Sequence, residues 1–226
     1  MTAPPPTASH VLILGSAPVD PDLLALRAGS AGALICADGG AAAALTGGLR
    51  PDLVVGDMDS ISAAMHQRLV TEGVRLVQHP AEKDQTDLEL AIEHALLYAP
   101  SRITILGALG GVRLDHTVGN LLLLAQPSLQ ELDVRLETVT NEAVAVWQAR
   151  EIAGVAGEYV SLMPLTPLAE GIHTTGLRYP LRGESLVQGF ARGVSNELTA
   201  DRATVRVASG CLLVIHERSQ PVAHLP

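Results

Sequence analysis

Acidic residues recur where short apolar runs end. Asp38 follows the run 33–36 in Ala37-Asp38-Gly39-Gly40, and Asp57 and Asp59 follow 53–55 in Gly56-Asp57-Met58-Asp59-Ser60. Asp84 and Asp87 lie beyond 75–77 in Lys83-Asp84-Gln85-Thr86-Asp87, and Asp115 beyond 103–106 in Gly110-Gly111-Val112-Arg113-Leu114-Asp115-His116. One acid at a strand end is ordinary, but four such loops call for a common chemistry. In an extended backbone residues two apart face the same way, so Asp57 and Asp59 present paired carboxylates. Such a pair repels itself unless a proton or a cation lies between the two groups. An all-oxygen ligand set selects a hard ion such as Mg²⁺. The competing use of Asp59-Ser60 is a cap on a helix over 61–72, which accounts for Asp59 and leaves Asp57 without a role.

The neighbouring residues suit an anionic ligand. Thr86-Asp87-Leu88-Glu89 has the capping-box pattern of a helix start, and a helix N-terminus aimed at the strand ends can receive a phosphate. Asp87 adds a third carboxylate to the metal set. Lys83 is the only lysine among 15 basic residues, placed in an acidic loop where a compact point charge can meet phosphate. Arg113, in a glycine-rich loop, offers a planar fork for phosphate oxygens. Asp115 can cap a helix over 116–126, whose Val118, Leu121, Leu122 and Ala125 are expected to face the core. His116 and Asn120 are one turn apart on one face. A lone histidine there is commonly structural, but beside Arg113 and Asp115 it becomes a candidate binding residue. No GxxxxGK[ST] loop, GxGxxG turn or GxSxG elbow is present. An acidic site that must hold a polyanion needs bridging cations, which suits a Mg·ATP enzyme without that phosphate loop.

The elements that must position these residues alternate. Strands are expected over 11–14, 33–36, 53–55, 75–77 and 103–106, continuous enough to be buried on both faces. Helices are expected over 20–29, 40–46, 61–72, 86–98 and 116–126. This rhythm predicts an α/β domain with a mostly parallel sheet and flanking helices. Ligands on such sheets bind beyond the carboxyl ends of the strands. Beyond about residue 130 the pattern becomes all-β, with strands over 133–140, 144–148 and 158–163. A tight hairpin is expected at Ser209-Gly210, between 203–208 and 211–217. The division is a lead-in over 1–9, an α/β domain over 10–135 and a smaller β-sandwich domain over 136–226.

Composition removes several classes of function. Apolar residues make up 47% of the 226, which excludes disorder over most of the length. Aromatics at 2% and a net charge of −9 argue against nucleic acid, whose binding draws on stacking and on basic side chains. Cys36 and Cys211 sit apart in apolar runs, outside any zinc pattern, and read as small buried hydrophobes. No apolar stretch reaches the roughly 20 residues that span a bilayer. The Pro-rich start lacks the basic and apolar regions of a secretory signal, so residues 1–9 read as a disordered lead-in. These features together predict a cytoplasmic protein with no membrane partner.

Taken in order, the motifs resemble the thiamine pyrophosphokinase family. The stretches that carry the resemblance begin with Ala37-Asp38-Gly39-Gly40-Ala41, the segment 51–61, Lys83-Asp84-Gln85-Thr86-Asp87 and the segment 110–120. Two more follow, the segment 174–181 and Gly193-Val194-Ser195-Asn196-Glu197. The resemblance spans roughly 10–217, and six ordered blocks are far more specific than a single DGG or DxD. It implies an α/β domain, a C-terminal β-sandwich domain, and a homodimer with sites between subunits. It further implies attack of the thiamine hydroxyl on the β-phosphorus of ATP, releasing AMP. Carried over by position, Asp57, Asp59 and Asp87 would ligate Mg²⁺ with Asp38 nearby, and one carboxylate would accept the substrate proton. Lys83, Gln85, Thr86 and Arg113 would hold the triphosphate. Asp115, Tyr179, Ser195 and Asn196 would lie at or near the thiamine pocket.

Two positions depart from the family pattern. Val112 separates Gly111 from Arg113 where the family runs Gly-Gly-Arg, which shifts the arginine unless the loop absorbs it. Tyr179 stands where some members carry Trp, keeping an aromatic face for a flat cationic ring. Two other readings keep the scaffold: a different acceptor alcohol such as a pterin, and a nucleotide-binding regulatory module without catalysis. Thiamine's permanent positive charge suits an acidic pocket better than a pterin does.

Overall fold

The computed structural model describes residues 6–219. The first five residues of the expected lead-in lie outside that range. Its end is not disordered: the Ala8 amide donates to Tyr98 O (3.0 Å), and the Ser101 and Arg102 amides donate to Ser9 O (2.9 and 3.0 Å). Two compact units divide the chain. One holds the residues through Asn120 with Leu132–Thr138, the other Leu121–Glu131 with the residues from Val139 on.

The first unit follows the expected alternation. Its elements are β1 (His10–Leu14), α1 (Pro21–Ala28), β2 (Ala33–Ala37), α2 (Gly40–Thr46), β3 (Leu53–Gly56), α3 (Ala63–Thr71), β4 (Arg75–Gln78), α4 (Asp87–Leu96), β5 (Arg102–Leu106), the start of α5 (Leu114–Leu123) and β6 (Asp133–Glu137). The strands pair in parallel in the order β6-β5-β1-β2-β3-β4. All residues of β2 and β3 are buried, and so are Val11–Leu14 and Ile103–Leu106. That explains their unbroken apolar runs. β4 corrects the expectation: it is the edge strand, with Arg75 and Gln78 exposed and the two residues between them half-buried. An edge strand has a neighbouring strand on one side only, which leaves its side chains more open to solvent even though α3 packs on it.

Three helices start on side-chain caps, each replacing a missing backbone partner at about 1 kcal/mol. Asp20 accepts from the Asp22 and Leu23 amides, Ser62 from Met65, and Thr86 from Glu89. The cap of α3 is therefore Ser62, and Asp59 and Ser60 lie outside the helix. α4 buries Leu88, Leu90, Ala91, Ile92 and Ala95, an i, i+3, i+4 stripe that packs over β1, β2 and β3. Because β1 leads to β2 on one side and β5 to β6 on the other, the sheet order reverses between β1 and β5. That crevice is where doubly wound sheets place ligands.

α5 also departs from expectation. It begins at Leu114, so Asp115 is its second residue and not its cap. None of its residues is buried: Val118 and Leu122 are exposed, and Leu121 and Ala125 only half-buried. The apolar period marks a stripe, but that stripe does not face this chain's core as expected.

The second unit is a β-sandwich. Its strands are β7 (Asn141–Val146), β8 (Ala149–Ala153), β9 (Tyr159–Pro164), β10 (Leu168–Thr175), β11 (Arg182–Val187), β12 (Asn196–Glu197), β13 (Arg202–Arg206) and β14 (Leu212–Glu217). β12-β9-β14-β7 and β11-β10-β13-β8 form two antiparallel layers. One core joins the layers, with Val144, Val160, Leu162, Leu212 and Val214 from the first and Ile152, Ile172, Leu186 and Val205 from the second. The expected hairpin at Ser209-Gly210 is absent, because β13 and β14 belong to different layers. Ser209 instead bridges to Glu170, and the Cys211 amide is held by Thr166 Oγ1 (3.0 Å), so the turn carries the chain across the sandwich. Among the described residues no helix is long and apolar enough to cross a membrane.

Candidate functional site

The loops after β1, β2, β3 and β5 and the start of α4 enclose a cleft of about 560 Å³. Parallel pairing brings these strand ends to one rim. Ser16–Pro18, Asp38, Asp57, Asp59, Ser60, Thr86 and Asp87 line it, with Gly107–Ala108, Gly110–Arg113, His116 and Asn120. The β1 loop was missed as a wall of this site. Its signal was Gly15: a side chain there would come within 2.5 Å of Gly107 O, so two strand ends approach as closely as only glycine permits.

Three carboxylates converge in the cleft. Asp38, Asp57 and Asp59 each offer an oxygen, and these oxygens lie within 4.8 Å of one another. The backbone that presents them is not extended, as expected, but kinked. Met58 has φ +67 and Asp38 φ +40, in the left-handed region that non-glycine residues seldom adopt. Asp57 Oδ1 accepts from the Asp59 amide (3.2 Å), which holds the kink. Asp87 lies across Gly56, where an added Cβ would stand 2.8 Å from Asp38 Cβ and 3.2 Å from Asp87 Cγ. Gly56 thus lets the acidic loops close on one another. The tight triad contains Asp38, with Asp87 at its flank.

Asp38 is 4% exposed, and its Oδ1 has no hydrogen-bond partner. Burial pushes its pKa above the ordinary value, and the Asp87 and Asp57 charges push the same way. The Ser60 hydroxyl, which donates to Asp59 Oδ1 (3.0 Å), works against the shift, as does the Gly39 backbone. Asp87 Oδ1 is also buried without a hydrogen bond, although Lys83 Nζ stands 3.1 Å away as an ion-pair partner. An unpartnered buried carboxylate oxygen among oxygen donors is an arrangement that could hold a hard cation.

The other expected residues are distributed around this centre. Lys83 Nζ also lies 3.9 Å from Asp57 Oδ2 and donates to Pro80 O (3.2 Å). Gln85 points away, its amide held by Glu93. Thr86 caps α4 at the cleft wall. Arg113 reaches the cleft despite Val112, but its guanidinium forms a two-point pair with Asp115 (2.9 and 2.5 Å), both side chains exposed. That hydrogen bonding lowers Asp115 to about 2 and raises Arg113. His116 lines the cleft, as does Asn120, whose Nδ2 donates to Ala108 O (2.8 Å).

Tyr179, Ser195 and Asn196 belong to the second unit. A pocket of about 360 Å³ there is lined by Leu162, Arg178, Tyr179, Arg192, Val194 and Asn196, among others. The Tyr179 ring is exposed, with the Arg178 guanidinium 5.7 Å from its centroid. Asn196 is buried and bonded to the backbone: Oδ1 accepts from the Tyr179 and Glu197 amides (both 2.9 Å), and Nδ2 donates to Tyr179 O (2.8 Å). Ser195, at φ +59, donates its amide to Ser161 Oγ (3.1 Å).

Residues 26–136 match the family model described as thiamin pyrophosphokinase, catalytic domain, and residues 148–212 match its vitamin B1 binding domain. The thiamine pyrophosphokinase of Bacillus subtilis is 34% identical over 181 residues, 79% of this chain and 84% of that protein. Thiamine pyrophosphokinase 1 of rice, Oryza sativa, is 28% identical, covering 80% of this chain and 76% of the relative. The crystal structure of the Bacillus subtilis enzyme superposes with a TM-score of 0.81 at 29% identity, over 93% of this chain and 99% of the other. That of Candida albicans reaches 0.78 at 19% identity over 93% and 90%, a likeness of fold. The chain belongs to the thiamine pyrophosphokinase family.

Proposed function

We propose that this protein transfers the pyrophosphoryl group of ATP to the hydroxyl of thiamine, giving thiamine diphosphate and AMP. The observation that carries the reading is the carboxylate cluster beyond the carboxyl ends of β2 and β3 in a parallel sheet, with the buried Asp38 Oδ1 left without a partner. Asp38, Asp57 and Asp59 would hold Mg²⁺, with Asp87 beside them. Bound there, the ion would neutralise phosphate charge and orient the triphosphate. The N-terminus of α4, opening at the cleft wall, directs backbone amides at an anion, Arg113 lines the same cleft, and Lys83 pairs with the carboxylates of Asp57 and Asp87. In the transfer the hydroxyl oxygen bonds to the β-phosphorus, the bond to the α-phosphate bridging oxygen breaks, and a cluster carboxylate takes the hydroxyl proton. Little covalent work falls to the protein, so alignment and charge neutralisation carry the rate. The Tyr179 pocket offers an aromatic face suited to the thiazolium cation.

The same reading extends to assembly and compartment. Leu114, Val118 and Leu122 form an exposed i, i+4, i+8 apolar row on α5, which supports a homodimer. Cys36 and Cys211 are free and buried, and burial raises both thiols, Cys211 to about 11. Unpaired, unreactive thiols suit a cytoplasmic protein. The direct test incubates the purified chain with Mg·ATP and thiamine and identifies both products by mass. AMP together with thiamine diphosphate is expected; ADP, or no thiamine-dependent AMP, would refute the assignment.

A further inference from the structure

The cleft is short of positive charge. Four carboxylates, those of Asp38, Asp57, Asp59 and Asp87, gather at its floor. Among the described residues, Lys83 supplies the one basic group within ion-pair distance of them. Its ammonium bridges Asp87 Oδ1 (3.1 Å) and Asp57 Oδ2 (3.9 Å), and its side chain is 15% exposed. This ammonium relieves repulsion between two acidic loops, as a bound cation would. It leaves Asp38 Oδ1 unpartnered and does not reach Asp59.

We propose that Lys83 is a resident counter-ion, displaced when a divalent cation enters the cluster and thereby released to the incoming triphosphate. The proposal rests on the metal-site reading above. A dication sharing the oxygens of Asp57 and its neighbours would stand within a few ångströms of the ammonium and repel it. Lys83 is suited to leaving, because a lysine is a strongly hydrated charge on a flexible stem. Its one hydrogen bond is to Pro80 O, in the irregular segment before α4. Coupling of this kind is reciprocal: a cation that resists the metal is, once the metal is bound, freed for the nucleotide. Metal would then precede nucleotide, and the acidic floor would stay closed until it arrived.

Lys83→Met separates this role from a simple phosphate contact, because its effects should have opposite signs. Mn²⁺ binding, followed by its paramagnetic resonance signal without nucleotide, should tighten about fivefold or more. The melting temperature of the metal-free protein should fall and be restored by Mn²⁺. ATP affinity at saturating Mn²⁺ should weaken about tenfold. Lys83→Arg keeps the charge and should return metal affinity towards that of the unaltered chain. If the Met variant does not fold, Lys83→Gln, which can still donate to Pro80 O, takes its place. A folded variant with unchanged or weaker Mn²⁺ affinity would overturn the exchange while leaving the metal site standing. No Mn²⁺ binding by the unaltered chain would overturn both.

Discussion

The Asp38 carboxylate is held in a position that costs stability: nearly fully buried, with one oxygen unpartnered and two like charges nearby. A group kept in that state implies a ligand whose binding repays it. Asp38→Asn should therefore raise metal-free stability, because it removes a buried charge facing the Asp57 and Asp87 carboxylates, read as a higher melting temperature. The same change should lower turnover by about two orders of magnitude or more, as should Asp57→Asn. Stability and activity moving in opposite directions is the signature; loss of both would make Asp38 merely structural. Part of this was legible from residue types. The spacing of Asp57 and Asp59 announced a pair, and Asp87 stood in a capping motif at the right rim. The composition of the tight triad was not legible, since it depends on the left-handed kinks at Met58 and Asp38. Neither residue type asks for that conformation, and only Gly56, which keeps the loops free of a Cβ, hinted at it.

β12 is two residues long, yet it fixes the loop that presents Tyr179. Asn196 imitates a strand neighbour, accepting from the Tyr179 amide and donating to its carbonyl, while Arg178 N donates to Glu197 O (2.9 Å). With three hydrogen bonds directed at the Tyr179 and Glu197 backbone, the Asn196 amide positions Tyr179. Asn196→Ala should loosen this element, raising the KM for thiamine about tenfold with little change in kcat or in the KM for ATP. It should cost roughly 1–3 kcal/mol of stability. A kcat loss at unchanged KM would instead mean that Asn196 touches the reacting groups. The family pattern placed Asn196 near the pocket correctly but could not say that its amide faces inward. Elements were legible where burial is uniform: the apolar runs of β1, β2, β3 and β5 have two covered faces. They were misread where tertiary placement decides. β4 looks like the others but is an edge, and Ser209-Gly210 has hairpin chemistry but joins two layers.

Stability against acid and self-association belong to the chain as a whole. In the sandwich, Glu158 collects the Val155 and Ser219 amides, Ser219 Oγ and His216 Nε2, at 2.7–2.9 Å. Burial alone would raise its pKa, but these hydrogen bonds outweigh it and the pKa lies below the ordinary 4.5. A depressed folded pKa means that the unfolded chain binds the proton more readily, so stability is present above about pH 4.5 and is lost as pH falls through the folded value. Glu158→Gln should flatten the fall of melting temperature below that pH; an unchanged slope would place the acid lability elsewhere. α5 bears on association. A helix with Leu114, Val118 and Leu122 all exposed in one row gains nothing from this chain's core, and such a row on an isolated chain favours aggregation. If a second copy covers it, Val118→Lys with Leu122→Lys should shift the molar mass by light scattering from two chains to one. The separated chains should keep their melting transition, because no α5 residue contributes to the core. Loss of activity together with dissociation, at intact fold, is then expected if the site is completed across that face, whereas an active monomer would confine the chemistry to one chain.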